Sequence, residues 1–140
     1  MNPNGHHELT AQEILEIDDV VIEPHPVSQW NNGLVYVRSL SALERGEIEA
    51  NAAKYKESKG KDTSFTSTFT VTMAWLGMVD AKGKRLFEKR EQVTLLQRKN
   101  AAAISGIAEH VQRLSGFSKE DLEQLEKNSE EAQAEDTLSA

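Results

Sequence analysis

The tripeptide Asn31-Asn32-Gly33, set between two β-branched and aromatic runs, limits the possible folds of this 140-residue chain more than any other feature. Asn and Gly tolerate the positive φ that a type I′ turn demands at its central residues, so residues 27–30 and 34–38 are predicted to pair as an antiparallel hairpin. Strand alternation places Leu34, Tyr36 and Arg38 on one face and Val35 and Val37 on the other, and the valine face is predicted to be buried. Upstream, Val20-Val21-Ile22 reads as a further short strand, stopped by Pro24 and Pro26 because each removes a ladder donor.

Beyond the hairpin the pattern turns helical. Ser41-Ala42-Leu43-Glu44 is a capping box, so a helix should begin at Ala42, carry Leu43, Ile48 and Ala52 or Tyr55 inward, and stop at Gly60. Gly46 weakens it by about 1 kcal/mol relative to alanine. Residues 63–79, TSFTSTFTVTMAWLGMV, satisfy two periods at once. Phe65, Phe69, Val71, Met73 and Trp75 alternate with threonines as in a strand, and local propensity favours that reading; Phe65, Phe69, Met73 and Leu76 also fit one helical face. A turn follows at residues 80–84, with Gly83 free to take positive φ. From Lys89 onward one segment carries Val93, Leu95 and Leu96 and ends near Asn100; a second carries Ile104, Ile107, Ala108, Val111 and Leu114 and stops at Gly116; a third opens at Ser118 with Leu122 and Leu125.

Charge is distributed in blocks. Residues 1–40 hold six acids against Arg38, residues 82–99 hold seven bases against Glu88 and Glu91, and residues 117–140 hold eight acids against two lysines. The ends should therefore attract the middle. The net charge of −7 repels phosphate backbones and anionic lipid surfaces, so neither nucleic acid nor membrane is expected as a partner. No segment resembles a signal peptide or reaches the roughly 18–20 apolar residues of a membrane span. Length and the 38% hydrophobic content suit one modest core, spanning residues 12–127 after a flexible N-terminus at 1–11. Residues 128–140 hold one large aliphatic side chain, Leu138, and read as a disordered acidic tail.

Reactive constellations are hard to assemble from these residues. Without cysteine there is no thiolate ligand or nucleophile. His6 and His7 lie in the N-terminus, His25 sits between prolines and His110 falls in a helical pattern, none at metal-ligand spacing. Asp18 and Asp19 are adjacent and would diverge on a strand. Gly83-Lys84 lacks the rest of a phosphate-binding loop, and the Asp80 turn lacks the ligands of a calcium loop. The expectation is no catalytic residue, no cofactor and no metal. Trp30 and Trp75 are the largest apolar anchors, Trp75 for the core and Trp30 divided between core rim and binding surface.

The order of features resembles the tail assembly chaperones of long-tailed (siphovirus-type) phages and prophages. The likeness lies in Trp30-Asn31-Asn32-Gly33-Leu34-Val35-Tyr36-Val37-Arg38, then Leu40-Ser41-Ala42-Leu43-Glu44-Arg45, the Asp-x-x-Gly-Lys-x-x-Phe of residues 80–87, and Leu114-Ser115-Gly116-Phe117-Ser118 running on to Glu126-Lys127-Asn128. It covers about residues 12–128 through short motifs. It implies an α+β fold, mainly helical with an N-terminal β-hairpin, and favours a helix over residues 65–78 against the local strand preference. The implied protein is a non-enzymatic chaperone of the host bacterial cytoplasm that binds the tape-measure protein, helps recruit major tail tube protein and is absent from the mature virion. The chain would be the short form, with a frameshift-extended form of itself as a further partner. Apolar character near the hairpin nominates Trp30, Tyr36, Phe65 and Phe69 for client contact. Two other classes remain: a structural tail or head-completion subunit retained in the virion, and a small hydrolase or nuclease, which would need an acid, base or metal cluster.

Overall fold

The computed structural model describes residues 5–57, 64–117 and 120, the side chains of 51–57 and 64–68 excepted. The elements are α1 (Ala11–Glu16), β1 (Ile22–Val27), β2 (Gly33–Arg38), α2 (Ala42–Glu57), α3 (Ser64–Gly77), β3 (Met78–Val79), α4 (Gln92–Leu96) and α5 (Ala101–Leu114). This is the mixed fold expected, helical in the main with a hairpin near the N-terminus. The stop at Gly60, the helix after Ser118 and the acidic tail lie outside the described residues.

The hairpin forms, with three departures from the expectation. First, β1 runs through Pro24 and Pro26 instead of stopping there, pairing them with Tyr36 and Leu34. β1 is an edge strand in the antiparallel order β1-β2-β3. Ser39 N donates to Val21 O at 2.9 Å, which sets the odd residues of β1 to hydrogen-bond β2, so each proline lacks only an N–H that would face the open edge. Second, Val27 ends β1 rather than opening the next strand. Third, the loop comprises residues 28–32, and the positive φ values belong to Asn31 (56°) and Asn32 (55°), one position earlier than an Asn-Gly turn would place them. Gly33 N closes that turn onto Trp30 O at 2.9 Å, and Trp30 N closes the preceding one onto Val27 O at 3.1 Å.

The capping box at the start of α2 is present in both directions: Glu44 N donates to Ser41 Oγ (3.2 Å) and Ser41 N to Glu44 Oε1 (3.0 Å). Arg38, at the end of β2, grips the same carboxylate with both terminal nitrogens, at 2.9 and 2.5 Å. The entry to α2 is thereby tied to the hairpin.

Residues 64–77 are helical, so tertiary context overrides the strand propensity of their threonines. Every residue from 73 to 79 is buried. A helix end covered on all sides has no polar stripe, and its sequence therefore loses the 3.6-residue signature. α3 lies along α5, where Ala103, Ile104, Ile107, Ala108 and Val111 are buried. These side chains join Val27, Val37, Ile48, Val93, Leu96 and Phe117 in one core. Val37 is fully buried and Leu34 exposed, as the alternation predicted. α5 starts at Asn100, whose Oδ1 accepts from Ala103 N at 3.0 Å, and ends where Gly116 takes φ 74°. The turn at residues 80–84 is closed by Asp80 Oδ1, which accepts from Lys82 N (2.8 Å) and Lys84 N (3.0 Å). Among the described residues no helix is long and apolar enough to cross a membrane.

Candidate functional site

The N-terminal arm leaves the core altogether. Thr10 and Glu13 form a second capping box: Glu13 N donates to Thr10 Oγ1 and Thr10 N to Glu13 Oε1, each at 3.2 Å. Hydrogen bonds from His7 and Thr10 hold the Glu13 carboxyl below its usual range. The six-residue helix they start buries no side chain. Leu15 is 85% exposed, and Leu9, Ile14, Ile17, Val20 and Val21 are each about half exposed. Isolated helices this short are marginal in water. The arm forms a turn of helix that keeps its aliphatic side chains in solvent.

A second apolar feature lies at α4. Val93 and Leu96 point into the core, while Leu95 on the outer side is 62% exposed. With Phe87, Gln92, Arg98 and Lys99, Leu95 and Leu96 line an open groove of about 440 Å³. Its floor is aliphatic and aromatic, and its rim is cationic.

A third cluster joins the hairpin to α5. The odd positions of β1 turn Glu23, His25 and Val27 to the same side, where Val27 is buried and His25 meets His110 of α5. The two Nδ1 atoms are 2.9 Å apart, and His110 Nε2 lies 2.9 Å from Glu23 Oε1. A proton on His110 Nε2 serves Glu23, and the contact between the two Nδ1 atoms holds one further proton between the rings. Burial, reinforced by His110 and then Arg113, lowers the His25 pKa. Gly106 of α5 lies beside His25, and a Cβ there would meet His25 Nε2 at 3.7 Å, an ordinary van der Waals contact. The chain Glu23–His110–His25 positions a proton and fastens β1 to α5. Among the described residues no three His, Asp or Glu side chains gather as metal ligands.

The four residues nominated from sequence are not brought together as one exposed patch. Trp30 and Phe69 are partly buried and pack against the core. Tyr36 is half-buried on the outer face of β2, beside the exposed Leu34. Phe65 lies in α3, its side chain outside the described residues. Trp75 is a core residue, as expected, with Arg85 stacked over its ring at 4.3 Å. The arm went unanticipated, although Thr10-x-x-Glu13 followed by Ile14, Leu15 and Ile17 is a readable helix start. No local signal announces the His25–His110 contact, because 85 residues separate the partners. Compared with family models, curated proteins and solved structures, the chain matches none.

Proposed function

We propose that this protein is a non-enzymatic holding protein, a tail assembly chaperone of long-tailed phage type. In that role it binds the tape-measure protein in the bacterial cytoplasm and helps recruit tail-tube subunits around it. One observation carries the reading: residues 9–21 hold six large aliphatic side chains in solvent on an ordered arm attached to a well-packed domain. Exposed apolar surface of this kind marks a site for another polypeptide. An amphipathic helical client suits it, since such a helix buries its own apolar stripe against aliphatic side chains. The five acids among residues 8–19 keep the free arm dispersed and favour a client with cationic flanks. The order of the hairpin, the Ser41 capping box and the 80–87 turn supplies the likeness to the chaperones.

The test is co-expression with a tape-measure protein encoded beside it. The client should become soluble and co-purify with this chain, and Leu15→Asp should weaken capture. An insoluble client with no co-purifying complex refutes the assignment. Recovery of the chain from purified virions would replace it with the structural-subunit reading.

A further inference from the structure

The arm and the groove complement each other in both apolar character and charge. Residues 8–19 carry Glu8, Glu13, Glu16, Asp18 and Asp19 with no base, around Leu9, Ile14, Leu15 and Ile17. The groove sets Arg98 and Lys99 beside Phe87, Leu95 and Leu96, in a segment where seven bases face two acids. Within one chain this match goes unused. Among the described residues no salt bridge joins an acid of residues 8–19 to a base of residues 82–99, and α1 buries nothing.

We propose that the acidic arm of one copy docks in the basic-rimmed groove of a second copy. Ile14 and Leu15 are neighbours on the short helix α1, Ile17 caps its C-terminal end and Leu9 precedes the Thr10 cap, so the arm offers four exposed aliphatic side chains within nine residues. The groove supplies the partner surface, with Leu95 as its exposed wall. Glu13, Glu16 and the aspartates then face Arg98 and Lys99 of the second copy across the rim. Such an interface is heterologous. The pair retains one unused arm and one unused groove, so association continues head to tail until a ring closes or the arms are occupied. A client that takes the arm ends the chain of copies, which makes self-association the stored form of the sticky arm. The self-docking itself does not depend on any client.

Sedimentation velocity on the intact protein alone tests it, from about 1 to about 200 μM, a range that covers micromolar affinity. The wild type should grow in mass with concentration. Raising salt from about 0.1 to about 1 M cuts the screening length from about 10 to about 3 Å and should weaken association roughly tenfold. Leu15→Asp, lacking a competent arm, and Leu95→Asp, lacking a competent groove, should each stop growth alone. Both sites are exposed, so the fold is untouched. Mixed in equal amounts, the two variants should form a capped one-to-one dimer, with the Leu95→Asp copy supplying the arm and the Leu15→Asp copy the groove. A wild type that stays monomeric throughout, single variants that still assemble, association insensitive to salt, or a mixture that does not pair would each overturn the proposal.

Discussion

Gly77 meets Val111 where α3 packs on α5, and substituting the glycine puts a number on that packing. A Cβ built on Gly77 would stand 2.2 Å from Val111 Cγ2, 2.8 Å from Cγ1 and 3.1 Å from Cβ. Val111 is fully buried, so it has no outward path. Alanine gains up to about 1 kcal/mol over glycine from helix propensity, less at the last residue of a helix. Overpacking of a filled core costs about 1–3 kcal/mol. The clash wins, and Gly77→Ala should destabilise by about 1–2 kcal/mol net. Val111→Ala removes two buried carbons, at about 0.8 kcal/mol each plus a cavity contribution, or about 2 kcal/mol. In the double variant the alanine methyl enters the space that valine vacates. Its cost should then fall to that of Val111→Ala alone or less, well short of the sum. Urea unfolding followed by circular dichroism measures all four corners of the cycle. Additivity within about 0.5 kcal/mol, or a Gly77→Ala variant as stable as the parent, would refute the idea that van der Waals exclusion at this contact decides residue choice.

The histidine latch predicts a pH dependence. The folded state lowers the His25 pKa, so the unfolded chain takes up its proton first, near the ordinary value of 6.5. The contribution to stability is therefore complete above pH 6.5 and declines as pH falls from there through the folded value, with a slope of at most about 1.4 kcal/mol per pH unit and less for solvent screening. The facing charges are Glu23 on β1 and His110 and Arg113 on α5; His25→Gln should flatten the slope between pH 7 and 5, and an unchanged slope would exclude His25 as its source. Glu44 supplies the third case. Burial raises its carboxyl, but hydrogen bonds from Arg38 and Ser41 outweigh it and bring the pKa below 4.5. Glu44→Gln should cost about 1–2 kcal/mol at pH 7 by chemical denaturation, and the difference from the parent should shrink as pH drops through the lowered value.

The elements legible in the sequence were those whose signals are local. Ser41 and Glu44 specify the start of α2 through a hydrogen-bond exchange contained within four residues, and the structure contains that exchange. Gly116 and the three-and-four spacing of Ile104, Ile107 and Val111 delimit α5 for the same reason. Where reading failed, a longer-range cause decided. Pro24 and Pro26 break a strand only when their missing N–H is needed, and edge position together with the register against β2 makes it unneeded. Residues 73–77 conceal their helical period because α5, α4 and α2 lie against α3. That wrapping is a property of the assembled fold, and no window of sequence contains it.

The candidate site divides along the same line. His25 and His110 meet only because strand alternation turns residue 25 inward and the last turns of α5 pass beneath it, so spacing rules for metal or catalytic histidines were bound to miss the pair. The arm is the opposite case: its cap and aliphatic residues are adjacent in sequence, yet hydrophobic side chains ordinarily announce a core. Of the six within residues 9–21, only Val20 and Val21 were read from sequence, as part of a strand, and it is the exposure of all six in the folded chain that supports contact with another molecule. Charge blocks were legible from the outset. Whether opposite blocks meet within a chain depends on chain geometry, and among the described residues no salt bridge joins the acidic arm to the basic segment. Complementary surfaces that no salt bridge joins within one molecule remain available between two, and the proposed docking uses them in that way.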